Sequence, residues 1–533
     1  MMLDDIRIKF DIPTKVCVLA PVTTTLDLIR KGALVRFHSG QIGGCRRSRY
    51  AAAEQSACTG KCAAAAAQAQ SPRTDQLGCV FKLLIQYGRC SSTLIAEFKM
   101  ALIRFCRAFA VILASCSFSA LAASPQKLEI GPADRLFQIG KFAEAGELCA
   151  SMAAQNPKNF AAIFGVGRVA LPSNRLDDAQ KWLERAVALK PDDADAKVML
   201  AEAFYRRDDF QAAAASLRGV DASGNKLLIS QYPTLNLAKL ESFKGQTPYE
   251  VRGAGEETRI KFLKIDPLPL LNVRINGGDE VTFFIDTGGS EVALDRDFAR
   301  ELGVPQFGAV RGTFSGGEHA DVQNARIESL TAGDWTIKNL PIAALALRQL
   351  SASFGVKRID GIIGTNLLYH FLATIDYPRG ELVLRRKSAK SLEQFAAASS
   401  GNIAVPFWIA GDHFMVGWGQ VERMPPTLLF VDSGLAGAGV KLAEPIIKEA
   451  GIKLEEDKAY EGAGGAGKLK IVPYVVHRLS FGPMQEDNVP GLYDGPFPWE
   501  NLFGFQLAGM VGHDFLKRYA VTFDFSDTHI FLK

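Results

Sequence analysis

The sequence predicts a multidomain chain in which an α-helical repeat module precedes two all-β lobes related by a pseudo-twofold duplication. Three observations carry this prediction. An Ala-rich, helix-period pattern runs through residues 127–245 and recurs every 34 positions. From about residue 255 the pattern becomes short β-branched and aromatic runs punctuated by Gly and Pro. Within that β-rich stretch the same order of features occurs twice, about 146 positions apart. The composition, 48% hydrophobic and 22% charged over 533 residues, excludes a disordered chain, a collagen and a polytopic membrane protein.

The first 99 residues differ from the rest. They hold 14 Lys+Arg against 7 Asp+Glu and six of the nine cysteines. Met100 opens a second N-terminal pattern: Arg104 and Arg107, the apolar run Ala108 to Ala114, a small polar stretch, then Ala120-Leu121-Ala122. This is the layout of a secretory signal peptide over 100–122, with cleavage near Ala122. Translation from Met100 is therefore expected, with residues 1–99 a disordered upstream extension. The protein would be exported, with the periplasm as its expected destination. Leu113-Ala114-Ser115-Cys116 offers the alternative of a lipoprotein anchored at Cys116. Cys58-x-x-x-Cys62 has no second pair at a usable spacing, so no metal site is expected there. The predicted mature chain, 123–533, has 45 Lys+Arg against 50 Asp+Glu, so the whole-chain charge of +4 implies no acidic or nucleic-acid partner. Cys149 falls at an apolar helical position, where packing accounts for it.

In residues 127–245, Ala145, Ala179 and Ala213 share the 34-residue spacing, as do Phe142, Leu176 and Phe210. Pro157 and Pro191 close two units at the same interval. Small residues let paired helices approach, and Pro ends the second helix of each pair. The pattern resembles tetratricopeptide repeats, departing from them by lacking an early aromatic signature in the first unit. That resemblance implies a surface for a peptide or protein partner; the competing reading is that the helices pack on the neighbouring domain.

The β-rich stretch divides into 255–387 and 400–533, joined by the polar Ala/Ser-rich segment Lys387 to Asn402. In the first, an apolar run through Ile285 leads into Asp286-Thr287-Gly288-Gly289-Ser290. In the second, Leu428 to Val431 leads into Asp432-Ser433-Gly434. Asp360-Gly-Ile-Ile-Gly364 aligns with Ala508-Gly-Met-Val-Gly512, and Thr374-Ile-Asp-Tyr377 with Thr522-Phe-Asp-Phe525. A strand delivering Asp-Thr/Ser-Gly, followed about 70 residues later by two apolar residues and Gly, resembles the retropepsin-like, pepsin-type aspartyl proteases of bacteria. The resemblance spans 258–533, with both motifs in both lobes.

It implies an aspartic-type endopeptidase with Asp286 and Asp432 as the catalytic pair, needing neither metal nor cofactor. Two carboxylates at contact share one proton; the ionised one activates a water and the protonated one polarises the scissile carbonyl. Thr287 and Ser433 would bond across the axis, and Gly288 and Gly434 would let the turns approach. The Gly-rich segments suggest flaps: Phe314, Gly316 and Gly317 in one lobe, Tyr460 and Gly462 in the other. The second turn lacks the hydroxyl that Ser290 supplies to the first, so the turns are not equivalent. Asp360, Asp376, Asp524 and His513 are read as structural. Two other readings stay open: a non-catalytic peptide-binding scaffold of degenerate peptidase fold, and lobes that pair between chains.

Overall fold

The computed structural model describes residues 131–533, so the expected upstream extension, signal peptide and Cys116 lie outside the described residues. Six helices form the repeat module: α1 Pro132–Gln138, α2 Phe142–Gln155, α3 Phe160–Ala170, α4 Leu176–Leu189, α5 Ala194–Tyr205 and α6 Phe210–Leu217. Side chains start three of them. Asn159, Asp193 and Asp209 each accept the backbone N–H three residues on, at 3.2, 2.9 and 3.0 Å. Small residues set the spacing between helices. A Cβ at Gly165 would lie 2.5 Å from Cys149 Sγ, and one at Gly167 would lie 2.6 Å from Leu183 Cγ. Cys149 is thus a buried packing residue, and burial pushes its thiol pKa up. Two short helices follow, α7 Lys226–Ser230 and α8 Leu237–Glu241.

The turns inside each helix pair repeat a backbone feature that the sequence alone did not show. Gly140, Asn174 and Asp208, again 34 apart, have φ of 75°, 50° and 61°. Asn and Asp tolerate this left-handed conformation better than other non-glycine residues. All three turns dock on the β-rich region. The site of a Cβ at Gly140 lies 2.9 Å from both Leu428 and Trp418. Asn174 Nδ2 donates to Phe525 O at 2.8 Å, and Asp208 meets His370 Nε2 at 3.0 Å. An aromatic cluster of Phe137, Phe142, Trp408 and Phe505 seals the first of these contacts, with ring centroids 5.0–5.7 Å apart. The helices therefore pack on the neighbouring β-rich region through one edge of the repeats.

The β-rich region begins with the strand Glu250–Arg252, a few residues ahead of the expected start, and forms two sheets of eight and thirteen strands. The eight-stranded sheet gathers strands from residues 250–363. The other holds the strands after residue 400 together with three from earlier in the chain, Glu257–Lys261, Leu372–Asp376 and Glu381–Arg385. The closing strands of the first β unit therefore leave its own sheet. Leu372–Asp376 pairs antiparallel with Ala520–Asp524, placing Thr374 opposite Thr522 with hydroxyls 2.7 Å apart. The joining segment folds as the helix Ala389–Ala398, capped by Ser388, whose Oγ accepts Ser391 N–H at 3.1 Å. One large apolar core runs from Phe137 in the helices to Leu532 at the last strand. No helix among the described residues is long and apolar enough to cross a membrane.

Candidate active site

Each Asp of interest ends a strand that is fixed by a parallel neighbour. Phe283, Phe284 and Ile285 pair with Gly361, Ile362 and Ile363, and Asp286 N–H then donates to Ile363 O at 3.0 Å. Leu429, Phe430 and Val431 pair with Gly509, Met510 and Val511, and Asp432 N–H donates to Val511 O at 2.9 Å. The two-apolar-plus-Gly segments noted in the sequence are these neighbours. Gly364 and Gly512 end them in crowded backbone, where an added Cβ would lie 2.3 Å from Glu291 O and 2.6 Å from Leu435 Cδ2.

The two turns meet within the chain. Thr287 N–H donates to Ser433 Oγ at 3.0 Å, and Ser433 N–H donates to Thr287 Oγ1 at 2.9 Å. Each hydroxyl then donates to the carbonyl two residues before the opposite residue: Thr287 to Val431 O at 2.9 Å and Ser433 to Ile285 O at 3.2 Å. Both side chains are fully buried, so these four bonds exchange no partner with water. The carboxyl groups of Asp286 and Asp432 lie within hydrogen-bonding reach of each other. Gly288 N–H and Gly434 N–H each donate to the carboxylate two residues earlier, both at 2.8 Å. A Cβ at Gly434 would sit 2.2 Å from Asp286 Oδ1, and one at Gly288 would sit 2.7 Å from the Asp432 carboxyl. Glycine is required there by the close approach of the opposite acid.

Burial raises the pKa of both acids, and the mutual hydrogen bond and charge tie the two titrations together. Asp432 is pushed well above the usual carboxylate range, by burial first and then by the negative charge of Asp286. The arrangement can hold one proton between two carboxyls.

Of the expected flap residues, Phe314, Gly316 and Gly317 form the tip of a hairpin between strands Gln306–Thr313 and His319–Ala332. Gly316 and Gly317 have φ of 74° and 75°, which lets the chain reverse there. The Phe314 ring fills the space beside Gly465, where a Cβ would lie 2.3 Å from it. Gly465 lies at the tip of the second hairpin, between strands Tyr460–Gly464 and Gly467–Phe481. Tyr460 and Gly462, the candidates expected at this second flap, both sit on its ascending strand. Tyr460 lies at the base and is 49% exposed. The Gly-rich segment 460–467 spans this hairpin, and its first residues continue the ladder with Ile471 and Leu469.

Asp360 is buried between Arg358 and Arg348, at 2.7 and 3.3 Å. Asp376 and Asp524 accept turn N–H groups from Arg379 and Ser526. His513 is buried with Nε2 3.1 Å from Asp266. Asp266, His513 and Asp514 converge, but the Lys517 ammonium already contacts both carboxylates at 2.9 and 2.7 Å.

Several buried polar residues around the turns were missed. Glu291 accepts from Lys239 Nζ at 2.7 and 2.8 Å and from Tyr205 Oη at 2.7 Å. Lys441 pairs with Asp494 at 2.5 Å, donates to Ser315 Oγ at 3.1 Å and faces Asp432. His413 Nε2 lies 2.9 Å from Gly288 O, and its Nδ1 lies 2.5 Å from Asp412. A lone charge within an apolar run, such as Lys441 between Val440 and Leu442, was the available signal.

Residues 271–367 match the family model for an aspartyl protease, and residues 136–193 match that for a tetratricopeptide repeat. Among solved structures, a retropepsin-like aspartic protease from Rickettsia conorii is 21% identical over 26% of this chain and 95% of its own, with a TM-score of 0.19. MamA is 21% identical over 22% of this chain and 67% of its own, with a TM-score of 0.19. An O-GlcNAc transferase mutant from Thermobaculum terrenum is 21% identical over 16% of each chain, with a TM-score of 0.15. The chain thus spans 16% of the length of that transferase. No curated protein matches the chain. In order along the sequence, a segment similar to tetratricopeptide repeats is followed by one similar to aspartyl proteases, a similarity that supports a peptidase-type function in general.

Proposed function

We propose that the protein is an exported aspartic endopeptidase that hydrolyses peptide bonds with water activated by Asp286 and Asp432. Residues 255–387 and 400–533 are then duplicated lobes that each supply one acid. The observation that supports this most is the reciprocal bonding of Thr287 and Ser433 beneath two carboxyls in contact. The same bonds favour a site built within one chain over lobes pairing between chains. In the reaction the ionised acid takes a proton from water as it attacks the scissile carbonyl carbon. The protonated acid donates to the carbonyl oxygen; as the tetrahedral intermediate collapses, the C–N bond breaks, the leaving amine takes the proton drawn from water, and the second acid recovers a proton from the intermediate's hydroxyl. The first hairpin tip would cover bound peptide. Export, with 100–122 as signal peptide and the periplasm as destination, belongs to the proposal, as does capture of a protein substrate or partner by the helix faces turned away from the lobes.

The test is cleavage of a diverse peptide library by the purified protein from acidic to neutral pH. Asp286→Asn and Asp432→Asn should each bring cleavage below detection while leaving the thermal transition in place. Turnover surviving either substitution would remove the dyad. A folded wild-type protein that cleaves nothing would favour a peptide-binding scaffold.

A further inference from the structure

The first Asp-bearing turn receives a contact from outside its own lobe that has no counterpart at the second turn among the described residues. The turn Gly411–His413 joins strands Ile403–Ala410 and Phe414–Val421 of the second lobe and reaches across to Gly288 of the first. Helix α5 holds this turn. Arg206 donates to Gly411 O at 2.6 Å and to Leu171 O at 2.9 Å, and pairs with Glu202 at 2.6 Å. Asp412 N–H donates to Gln231 O at 3.0 Å. Asp412 and His413 are both buried, so their geometry is set by protein rather than solvent.

Hydrogen-bond chemistry fixes one proton on the ring. A carbonyl oxygen only accepts, so the His413 Nε2 that faces Gly288 O carries hydrogen. Nδ1 and Asp412 Oδ1 are 2.5 Å apart and share a further proton. In the charge-separated form an imidazolium grips the Gly288 carbonyl. The N–H of that same peptide, on Gly289, donates to the main-chain oxygen of Asp286 at 3.1 Å, and it also lowers the pKa of the Asp286 carboxyl. One peptide group therefore lies between the ring and the acid, with its dipole oriented to favour negative charge on Asp286. Around Asp432 the nearby cation is Lys441, paired with Asp494 as His413 is paired with Asp412; what differs is that His413 bonds the backbone of the first turn at Gly288 O. The charged groups facing His413 are Asp412 on its own turn, Glu202 from α5, Arg206 just past the end of α5, and Asp286 from the first turn; Asp286 in turn faces Asp432.

We infer that His413, oriented by Asp412, is a positioning residue that fixes the Gly288–Gly289 peptide and makes Asp286 the ionised member of the pair. This rests on the peptidase reading above. It assigns Asp286 as general base and Asp432 as general acid, and it makes α5 of the repeat module a support of the catalytic base.

The experiment compares pH profiles of kcat/KM for wild type, His413→Gln and Asp412→Asn. Gln keeps a donor for Gly288 O and removes the cation. Without the cation Asp286 ionises at higher pH, so the acid limb moves up by about one pH unit. That is about tenfold lower kcat/KM on the acid side, with a plateau within about threefold of wild type. Asp412→Asn moves the limb the same way, and His477→Gln, at an exposed histidine, leaves it in place. A limb that stays put in His413→Gln, whatever happens to the plateau, overturns the inference. If wild type cleaves no peptide, the peptidase reading falls and this inference is still decided. Isotope-edited infrared titration of Asp286 in Asp432→Asn protein, with and without His413→Gln, then supports it by an upward shift and overturns it by none.

Discussion

The two Asp-bearing turns share a backbone and differ in what stands behind them. The first, Asp286 to Glu291, is tied to the helical module. Glu291 lies five residues past the acid and is buried against Lys239 of α8 and Tyr205 of α5. The second, Asp432 to Gly437, is backed by the β-rich region itself. Leu435 and Ala438 pack against Gly512, and the nearest ion pair, Lys441–Asp494, is internal. Ser290 and Glu291 in the first turn correspond to Ala436 and Gly437 in the second, so the second turn lacks those polar ties. A repeated turn can thus be supported by either means, and only the polar support depends on a segment outside the β-rich region.

The largest expected effect breaks that support. Glu291→Ala leaves the fully buried Lys239 ammonium without its acid and should cost about 3–5 kcal/mol. Denaturant unfolding should show it, with the helical module separating as an earlier transition. The double variant Lys239→Met with Glu291→Leu, which removes both charges, should recover most of the loss. If Glu291→Ala unfolds in one unshifted transition, the first turn does not depend on the helices.

A smaller effect concerns pH. Burial pushes Glu202 of α5 up to about 7 from an ordinary 4.5, although Arg206 lowers it. Its second oxygen has no hydrogen-bond partner among the described residues. A group whose folded pKa is raised stabilises fully below its unfolded value, and that stability is lost as pH rises through the folded value. Stability should therefore fall between pH 4.5 and about 7, by about 2–3 kcal/mol. Glu202→Gln should flatten that fall in urea midpoints measured across the range. A slope unchanged in Glu202→Gln would place the linkage on another group.

How much of this was legible follows from the range of the signals. Strand, turn and neighbour are local, so Asp286, Thr287, Asp432, Ser433 and the Ile363 and Val511 neighbours could be read from apolar runs ending in Asp-Thr/Ser-Gly. The 34-residue period likewise exposed the helices. What could not be read depends on contacts across 50 to 250 positions. Lys239 looks like any exposed helical lysine, and His413 is an unremarked residue at a hairpin turn, until α8 and the second lobe are brought to the first turn. Which residue of the Gly-rich segment 460–467 forms the hairpin tip could not be read, because a Gly-rich run does not reveal where cross-strand pairing stops.

The smallest expected effect tests whether the turns are as symmetric as the hydrogen bonds they share. Thr287 and Ser433 make the same two bonds, yet one carries a methyl group in a space with no solvent access. Thr287→Ser keeps the acceptor for Ser433 N–H and the donor to Val431 O, and removes only that methyl. The cost should be about 1 kcal/mol of stability, as for a buried methylene-sized group. Because the bonds that align the acids persist, kcat should stay within about twofold of wild type. Ser433→Thr must instead fit a methyl into a filled site and should cost about 1–3 kcal/mol. Thermal unfolding and steady-state cleavage of the two variants measure the difference. A large loss of kcat in Thr287→Ser, with stability little changed, would mean that the methyl and not the hydroxyl sets the first turn. The symmetry of the hydrogen bonds would then be a poor guide to how the acids are held.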